Sequence, residues 1–157
     1  MAFSYQKQVG LYNKEAIPGD RANQQETIYT PTNFTAASAV NVGGFVHRDT
    51  TNPETQCKIG GTGALLGFVE RVQNAPNYNI STEGTLQIPA GGAVEIAVKG
   101  DFFAEADTSV SIGDTVYADT STGAVTFTST SGGAVEDTGY KAFTAATSGG
   151  MVIITNR

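Results

Sequence analysis

The strongest constraint on how this chain folds is the side-chain rhythm between Gly92 and Asp119, GAVEIAVKGDFFAEADTSVSIGDTVYAD. Val94, Ile96 and Val98 alternate with Glu95, Ala97 and Lys99, the period-2 pattern of a strand with one buried and one solvated face. Gly100-Asp101 interrupts the alternation, Phe102-Phe103-Ala104-Glu105 resumes it, and Gly113-Asp114 interrupts it again before Thr115-Val116-Tyr117-Ala118. The pattern predicts a strand, turn, strand, loop, strand meander.

The same reading extends along the chain. Strands are expected at Thr27-Ile28-Tyr29-Thr30, Gly44 to Arg48, Ala64 to Arg71, Thr85 to Pro89 and Ala124 to Thr128, with closing strands around Tyr140 to Ala145 and Met151 to Thr155. Between them, Asp49 to Gly63 is polar and punctuated by Pro and Gly, so it is expected to be an exposed loop. Ser129 to Gly139 is expected to be a low-complexity loop. No apolar periodicity at helical spacing persists beyond two turns, and the 19 glycines sit among abundant Thr, Ser, Ala and Val. The expected class is all-β: an antiparallel β-sandwich or barrel of about nine or ten short strands. With 157 residues and 39% hydrophobic content, the chain has enough apolar surface for one sizeable core and one domain.

Residues 1–26 read differently from the rest. Phe3, Tyr5, Val9, Leu11, Tyr12 and Ile17 are too irregularly spaced for a helix, and Pro18-Gly19-Asp20 marks a turn. Aromatic side chains in a terminal segment supply large contact area where it docks, so these six residues are the candidate partner-binding set. The expectation is an extended N-terminal arm over 1–26 and a single β domain over 27–157. Fully extended, an arm of that length reaches on the order of 85 to 95 Å, enough to cross onto a neighbouring subunit. The other reading of the segment is a first strand of the same domain.

Charge and composition exclude several classes of function. The net charge of -6 weighs against a nucleic-acid partner, which requires a concentrated basic patch. From Gly100 onward there are seven acidic and two basic residues, against eight and seven before it, so the C-terminal part is expected to present an acidic surface to solvent. Cys57 is the single cysteine, which rules out an intrachain disulfide and suits folding in a reducing compartment. The N-terminus lacks an apolar signal core, and no apolar run approaches the ~20 residues that span a bilayer. The protein is expected to be soluble, not exported by a standard signal, and without a membrane partner.

Catalytic chemistry is sparse. His47 is the one histidine and Cys57 the one thiol, so neither a multi-imidazole zinc site nor a CxxC site exists, and a Ser-His-Asp triad through His47 lacks a strand-turn-helix nucleophile context. Lys58 to Gly67 is rich in glycine but misses phosphate-loop spacing and precedes a strand. Asp101, Glu105, Asp107, Asp114 and Asp119 are oxygen ligands that loops could gather around calcium, yet no twelve-residue calcium loop is present and Asp is favoured at turns in its own right. No cofactor is expected, and the chain is read as non-enzymatic.

The order of several segments resembles the structural cement, or head-decoration, proteins of tailed bacteriophages. They are Ile17 to Ala22 with its PGDRA run, the glycine before Phe45-Val46, Gly67 to Arg71, Leu86 to Gly91, Gly100 to Ala104, and Ile112-Gly113-Asp114 ahead of Val116-Tyr117-Ala118. The Asp49 to Gly63 loop and the acidic stretch near Glu136 depart from that pattern. The resemblance implies a virion protein, made in the host cytoplasm, that binds the major capsid protein on the outer capsid surface. It also implies self-association as a homotrimer on local three-fold axes, stabilising capsomer junctions. The alternative from another class is a carbohydrate-binding or adhesive β-module displayed on the virion, using the Asp49 to Gly63 loop and the acidic turns. A hydrolase on a trimeric β scaffold comes third.

Overall fold

A computed structural model of the protein describes residues 16–72, 79–80, 86–129 and 135–157. Fifteen strands run through them: β1 (Ile28–Tyr29), β2 (Phe34–Ala36), β3 (Val40–Asn41), β4 (Phe45–Arg48), β5 (Gln56–Lys58), β6 (Leu65–Val69), β7 (Asn79–Ile80) and β8 (Leu86–Ile88) come first. β9 (Ala93–Val94), β10 (Ile96–Lys99), β11 (Asp101–Glu105), β12 (Thr115–Asp119), β13 (Val125–Thr126), β14 (Val135–Ala142) and β15 (Met151–Thr155) complete the set. The all-β class holds, and the described residues contain no helix. The strand number exceeds the expected nine or ten because β2, β3, β5 and β7 are two- or three-residue strands too short to show a period, and because Glu95 splits one expected strand into β9 and β10.

The strands form a seven-stranded sheet (β1-β10-β6-β4-β5-β2-β9), a five-stranded sheet (β11-β15-β14-β12-β13) and a three-stranded sheet (β3-β8-β7). Among the described pairings, β2 with β5 is parallel and the others are antiparallel. The seven-stranded sheet is the middle layer. Phe45 pairs with Phe68, Phe68 with Ala97, and all three point into a first core shared with Phe102, Ala104, Val116, Tyr140, Val152 and Ile154 of the five-stranded sheet. Their neighbours Val46, Val69 and Ile96 point the other way, into a second core with Phe34, Cys57, Val40 and Ile88, the last two from the three-stranded sheet. Four aromatic rings fill the first core: Phe68 lies 5.3 Å from Phe45 and 4.9 Å from Phe102, and Phe45 lies 5.6 Å from Tyr140.

Because both faces of the middle sheet are covered, simple alternation does not decide burial on it. The expected inward set Val94, Ile96 and Val98 is therefore corrected: Val94 and Ile96 are buried, Ala97 is also buried against Phe68, and Val98 is exposed. The meander is corrected too. β10 pairs with β1 and β6, whereas β11 pairs with β15 and β12 with β13 and β14. A single residue, Gly100, links β10 to β11, fewer than the two a tight hairpin needs. Its φ of +154° and missing Cβ, whose place is taken by the Phe102 ring, carry the chain from one sheet into the next.

Two expected loops are strands in part. β5 lies inside Asp49 to Gly63 with Cys57 fully buried, because a three-residue strand held between β4 and β2 is specified by its neighbours and not by its own polar composition. Glu136 to Gly139 belongs to β14, where Val135, Glu136 and Asp137 pair with Asp119, Ala118 and Tyr117.

Candidate functional site

The expected docking residues divide at the edge of the described structure. Phe3, Tyr5, Val9, Leu11 and Tyr12 lie outside the described residues. Ile17 is half-buried in a turn in which the Asp20 amide donates to the Ile17 carbonyl (3.1 Å) and the Ile17 amide donates to Asp20 Oδ2 (3.2 Å). Residues 16–26 lie on the β body. Gly19 donates to the Phe103 carbonyl, Phe103 to that of Asp20, and Ala22 to that of Asp101, so this segment covers the free edge of β11.

Side chains fasten the same segment. Glu70, 7% exposed, accepts from Arg21 Nε and from the Tyr29 hydroxyl, each at 2.6 Å, and Arg21 also contacts that hydroxyl. Burial, reinforced by the Glu70 carboxylate, pushes the Tyr29 phenol up to about 12. Arg71 pairs with Asp20 at 2.8 Å. Asn23 reaches the buried carboxylate of Asp101 at 2.5 Å, where Thr155 (2.6 Å) and Arg157 (2.8 Å) also donate. Burial works to raise that carboxyl, and the three donors outweigh it and hold it below the usual carboxylate range. A cavity of ≈ 580 Å³ opens where the chain reaches the body, lined by Ala16, Arg21, Tyr29, Glu70, Glu95 and Phe103 among others. Of its charged groups, Arg21 is paired with Glu70 and Arg71 with Asp20, while Glu95 is exposed, so four of the five serve to hold the segment in place.

Elsewhere the groups with chemical potential are engaged structurally. Asp114 accepts from the Ser111 amide, Asp119 from Ser121 and Thr122, and Asp107 from Thr126 and Phe127. These carboxylates cap turns and bridge loops; no three His, Cys, Asp or Glu side chains among the described residues are grouped to hold a metal ion. Asp101 departs from the expected exposed turn acid, being a buried member of β11. His47 is fully buried, with Nε2 3.0 Å from Glu136 Oε2 across the two larger sheets and Nδ1 without a partner, so the acid sits on the opposite nitrogen from the one a triad uses. The Cys57 thiol is pushed up to about 12 by burial and is inert at neutral pH. The glycine-rich Lys58 to Gly67 segment packs its backbone on Thr120 and Arg48, and Gly61 donates to the Thr120 carbonyl.

The exposed apolar surface was not foreseen. Among the described residues the large hydrophobic side chains left open are Ile28 (50%), Val98 (37%), Ile112 (72%) and Phe143 (63%), and they fall at two places. Phe143 continues the outward parity of Lys141, beyond buried Tyr140 and Ala142, and its amide donates to the Ile153 carbonyl at 2.7 Å. Ile153 pairs with Phe103, both half-exposed on the outer face of the five-stranded sheet, while Gly113, next to Ile112, donates to the Ala142 carbonyl. By register Phe103, Ile153 and Phe143 stand in one row on the outer face of the five-stranded sheet, and Ile112 lies in the turn whose Gly113 meets β14. At the other place, Ile28 pairs with Lys99 at the sheet edge beside Val98. Parity along β14 was the available signal for Phe143, since Lys141 two residues earlier points outward.

A family model described as Structural cement protein (E217 gp24/Pam3 gp6) matches residues 5–156. A solved chain from the capsid of Myoviridae phage XM1 superposes with a TM-score of 0.69 at 16% sequence identity, covering 100% of this chain and 98% of that one, which establishes a shared fold. No curated protein matches the chain.

Proposed function

The chain belongs to the phage structural cement protein family, and from that premise we propose that it binds the outer surface of a capsid and stabilises it at capsomer junctions, as a trimer on local three-fold axes. A structural role in a bacteriophage capsid follows from the family itself. The finer reading rests on one observation: the family match runs from residue 5 to residue 156, so arm and body are matched as a unit. In this reading the major capsid protein is the partner, residues 1–26 are the arm and 27–157 the body. Phe3, Tyr5, Val9, Leu11, Tyr12 and Ile17 make contact with the shell or with a neighbouring subunit. Neither nucleic acid nor membrane is a partner, no reaction is catalysed, and the protein is made in the host cytoplasm before joining the virion.

The physics favours such a clamp. A protein that binds the assembled lattice and not its dissociated parts stabilises the lattice by linkage. Three arms held by one trimer bind cooperatively, because the second and third attach at high effective concentration. Residues 16–26 already lie on the body through Gly19, Ala22, Arg21 and Asn23.

Co-sedimentation with empty phage shells tests the reading, using the intact chain and a variant carrying Tyr5→Ser, Leu11→Ser and Tyr12→Ser. The intact protein is expected to pellet with shells and the variant to stay in the supernatant with its fold unchanged. Failure of the intact chain to bind shells, together with glycan binding that survives the arm substitutions, would replace cement with the adhesive reading.

A further inference from the structure

Residues 16–26 are held to the body by polar contacts at its surface and not by either core. None of them belongs to the two buried clusters, Ala16 is the one buried hydrophobic residue among them, and Arg21 and Asn23 to Glu26 are exposed. Gly19 packs against Val42 and Gly43 where a Cβ would not fit, its amide donates to the Phe103 carbonyl, and its own carbonyl accepts from the Arg71 amide, each at 2.9 Å. Three side-chain links end on carboxylates: Arg21 on Glu70, Arg71 on Asp20, and Asn23 on Asp101. Tyr29 joins Arg21 to Glu70, and Arg157 donates to both Asp101 and the Glu26 carbonyl.

We propose that residues 16–26 form a strap that opens as a unit while both cores stay packed, with Glu70, Asp20 and Asp101 as its latch and the edge of β11 as what it covers. A segment with little buried apolar surface, bonded along a sheet edge, lies at the low end of the range of local stabilities, whereas β4 and β6, whose rings fill the first core, open only with the whole fold. Opening leaves the Phe103 amide and the Asp101 and Phe103 carbonyls unpaired; closing blunts an edge that otherwise invites pairing with another strand. Opening also takes Ala16, Asp20 and Arg21 out of the cavity wall, so the cleft widens as the strap leaves. The latch sets the balance between the two states. Bonds to an ionised acceptor are about twice as strong as neutral ones, so taking the charge off one of these carboxylates weakens the closed strap and leaves the cores untouched. The inference rests on contacts within one chain and stands whether or not the protein meets a capsid.

The test is amide hydrogen exchange of the full-length protein at pH 7 across a series of low urea concentrations. The amides of Gly19, Ala22 and Phe103 report on the strap; those of Phe45 and Val69, bonded to the Gly123 and Gly44 carbonyls, report on the body. Strap amides are expected to exchange with little dependence on urea, because local opening exposes little surface, and body amides with the steep dependence of global unfolding. Two variants separate the latch from the cores. Glu70→Gln is expected to speed the strap amides about tenfold, since the bonds from Arg21 and Tyr29 then end on an uncharged group. Ile88→Val weakens the second core in the closed and open states alike, so it is expected to speed the body amides about fivefold and to leave the strap amides unchanged. Strap amides that share the urea slope of the body, or that accelerate with it in Ile88→Val, overturn the proposal, because the segment then opens only with the whole fold. Unchanged strap exchange in Glu70→Gln overturns the latch. Should Glu70→Gln not fold, the urea slopes of the unsubstituted chain and of Ile88→Val still decide whether the strap opens by itself.

Discussion

Replacing Phe68 with alanine is expected to be the most damaging single truncation in the first core. Phe68 is completely buried in β6 and touches rings on both sides of the layer, Phe45 within its own sheet and Phe102 in the facing one, at 5.3 and 4.9 Å. Removing a buried phenyl ring costs about 3–5 kcal/mol, from lost transfer energy and from a cavity that a well-packed core fills only in part. At about 2.1 cal/mol/K per residue, a chain of 157 residues unfolds with an entropy of about 0.33 kcal/mol/K, so a loss of about 4 kcal/mol lowers Tm by roughly 12 °C. The assay is thermal and urea unfolding followed by circular dichroism, with the urea slope serving to check that the unfolded state is unaltered. A double-mutant cycle sharpens it. Phe68→Ala and Phe102→Ala share a contact and are expected to couple by about 0.5–1.5 kcal/mol, whereas Phe68→Ala and Ile88→Ala sit in cores on opposite faces of the middle sheet and are expected to add. A loss below about 1 kcal/mol for Phe68→Ala, or strong coupling to Ile88, would refute the three-layer account in which one sheet separates two cores.

Three further outcomes are expected. Cys57 in the native protein is not alkylated by iodoacetamide at pH 8 over hours and reacts promptly once denatured; rapid native labelling would contradict its burial. The Asp101 carboxyl is held low in the folded state, so its contribution is present above the unfolded carboxylate pKa near ~3.9 and is lost as pH falls through the folded value. Asp101→Asn is therefore expected to lower stability at pH 7 and to flatten the acid limb of a stability profile measured from pH 2 to 6; an unchanged slope would count against the Asn23, Thr155 and Arg157 cluster. Gly60→Ala is expected to destabilise by at least about 1–2 kcal/mol, because Gly60 has a φ of +61° and a Cβ there would overlap the Thr120 carbonyl. Chemical denaturation reads this directly, and a neutral result would mean that the loop after β5 does not press on the β12–β13 turn.

Much of the architecture was legible in local pattern. Alternation placed β4, β6, β11, β12 and β15 within a residue or two, since these strands of four or five residues are long enough to show a period and end at glycine or polar turns. It failed at Ala97 because alternation assumes one wet face and the middle sheet is covered on both there, and at Val98 because that residue lies at the register shift against the edge strand β1, where the cover ends. It failed at Cys57 because β5 draws its position from β4 and β2. In the docking region, Ile17 was legible as a turn neighbour of Pro18, whereas the Arg21–Glu70–Tyr29 cluster joins residues up to 49 apart in sequence and left no local trace.

By itself, the sequence determined an all-β chain, its main turns, its acidic balance and its membership of the cement family, because side-chain period, glycine placement and charge are properties of neighbours along the chain. Only the tertiary structure decided which strands pair, that one sheet divides two cores, that residues 16–26 cover the edge of β11, and that Ile28, Val98, Ile112 and Phe143 stay uncovered. Those features depend on contacts between residues distant in sequence, whose free energy exists only when every layer is in place.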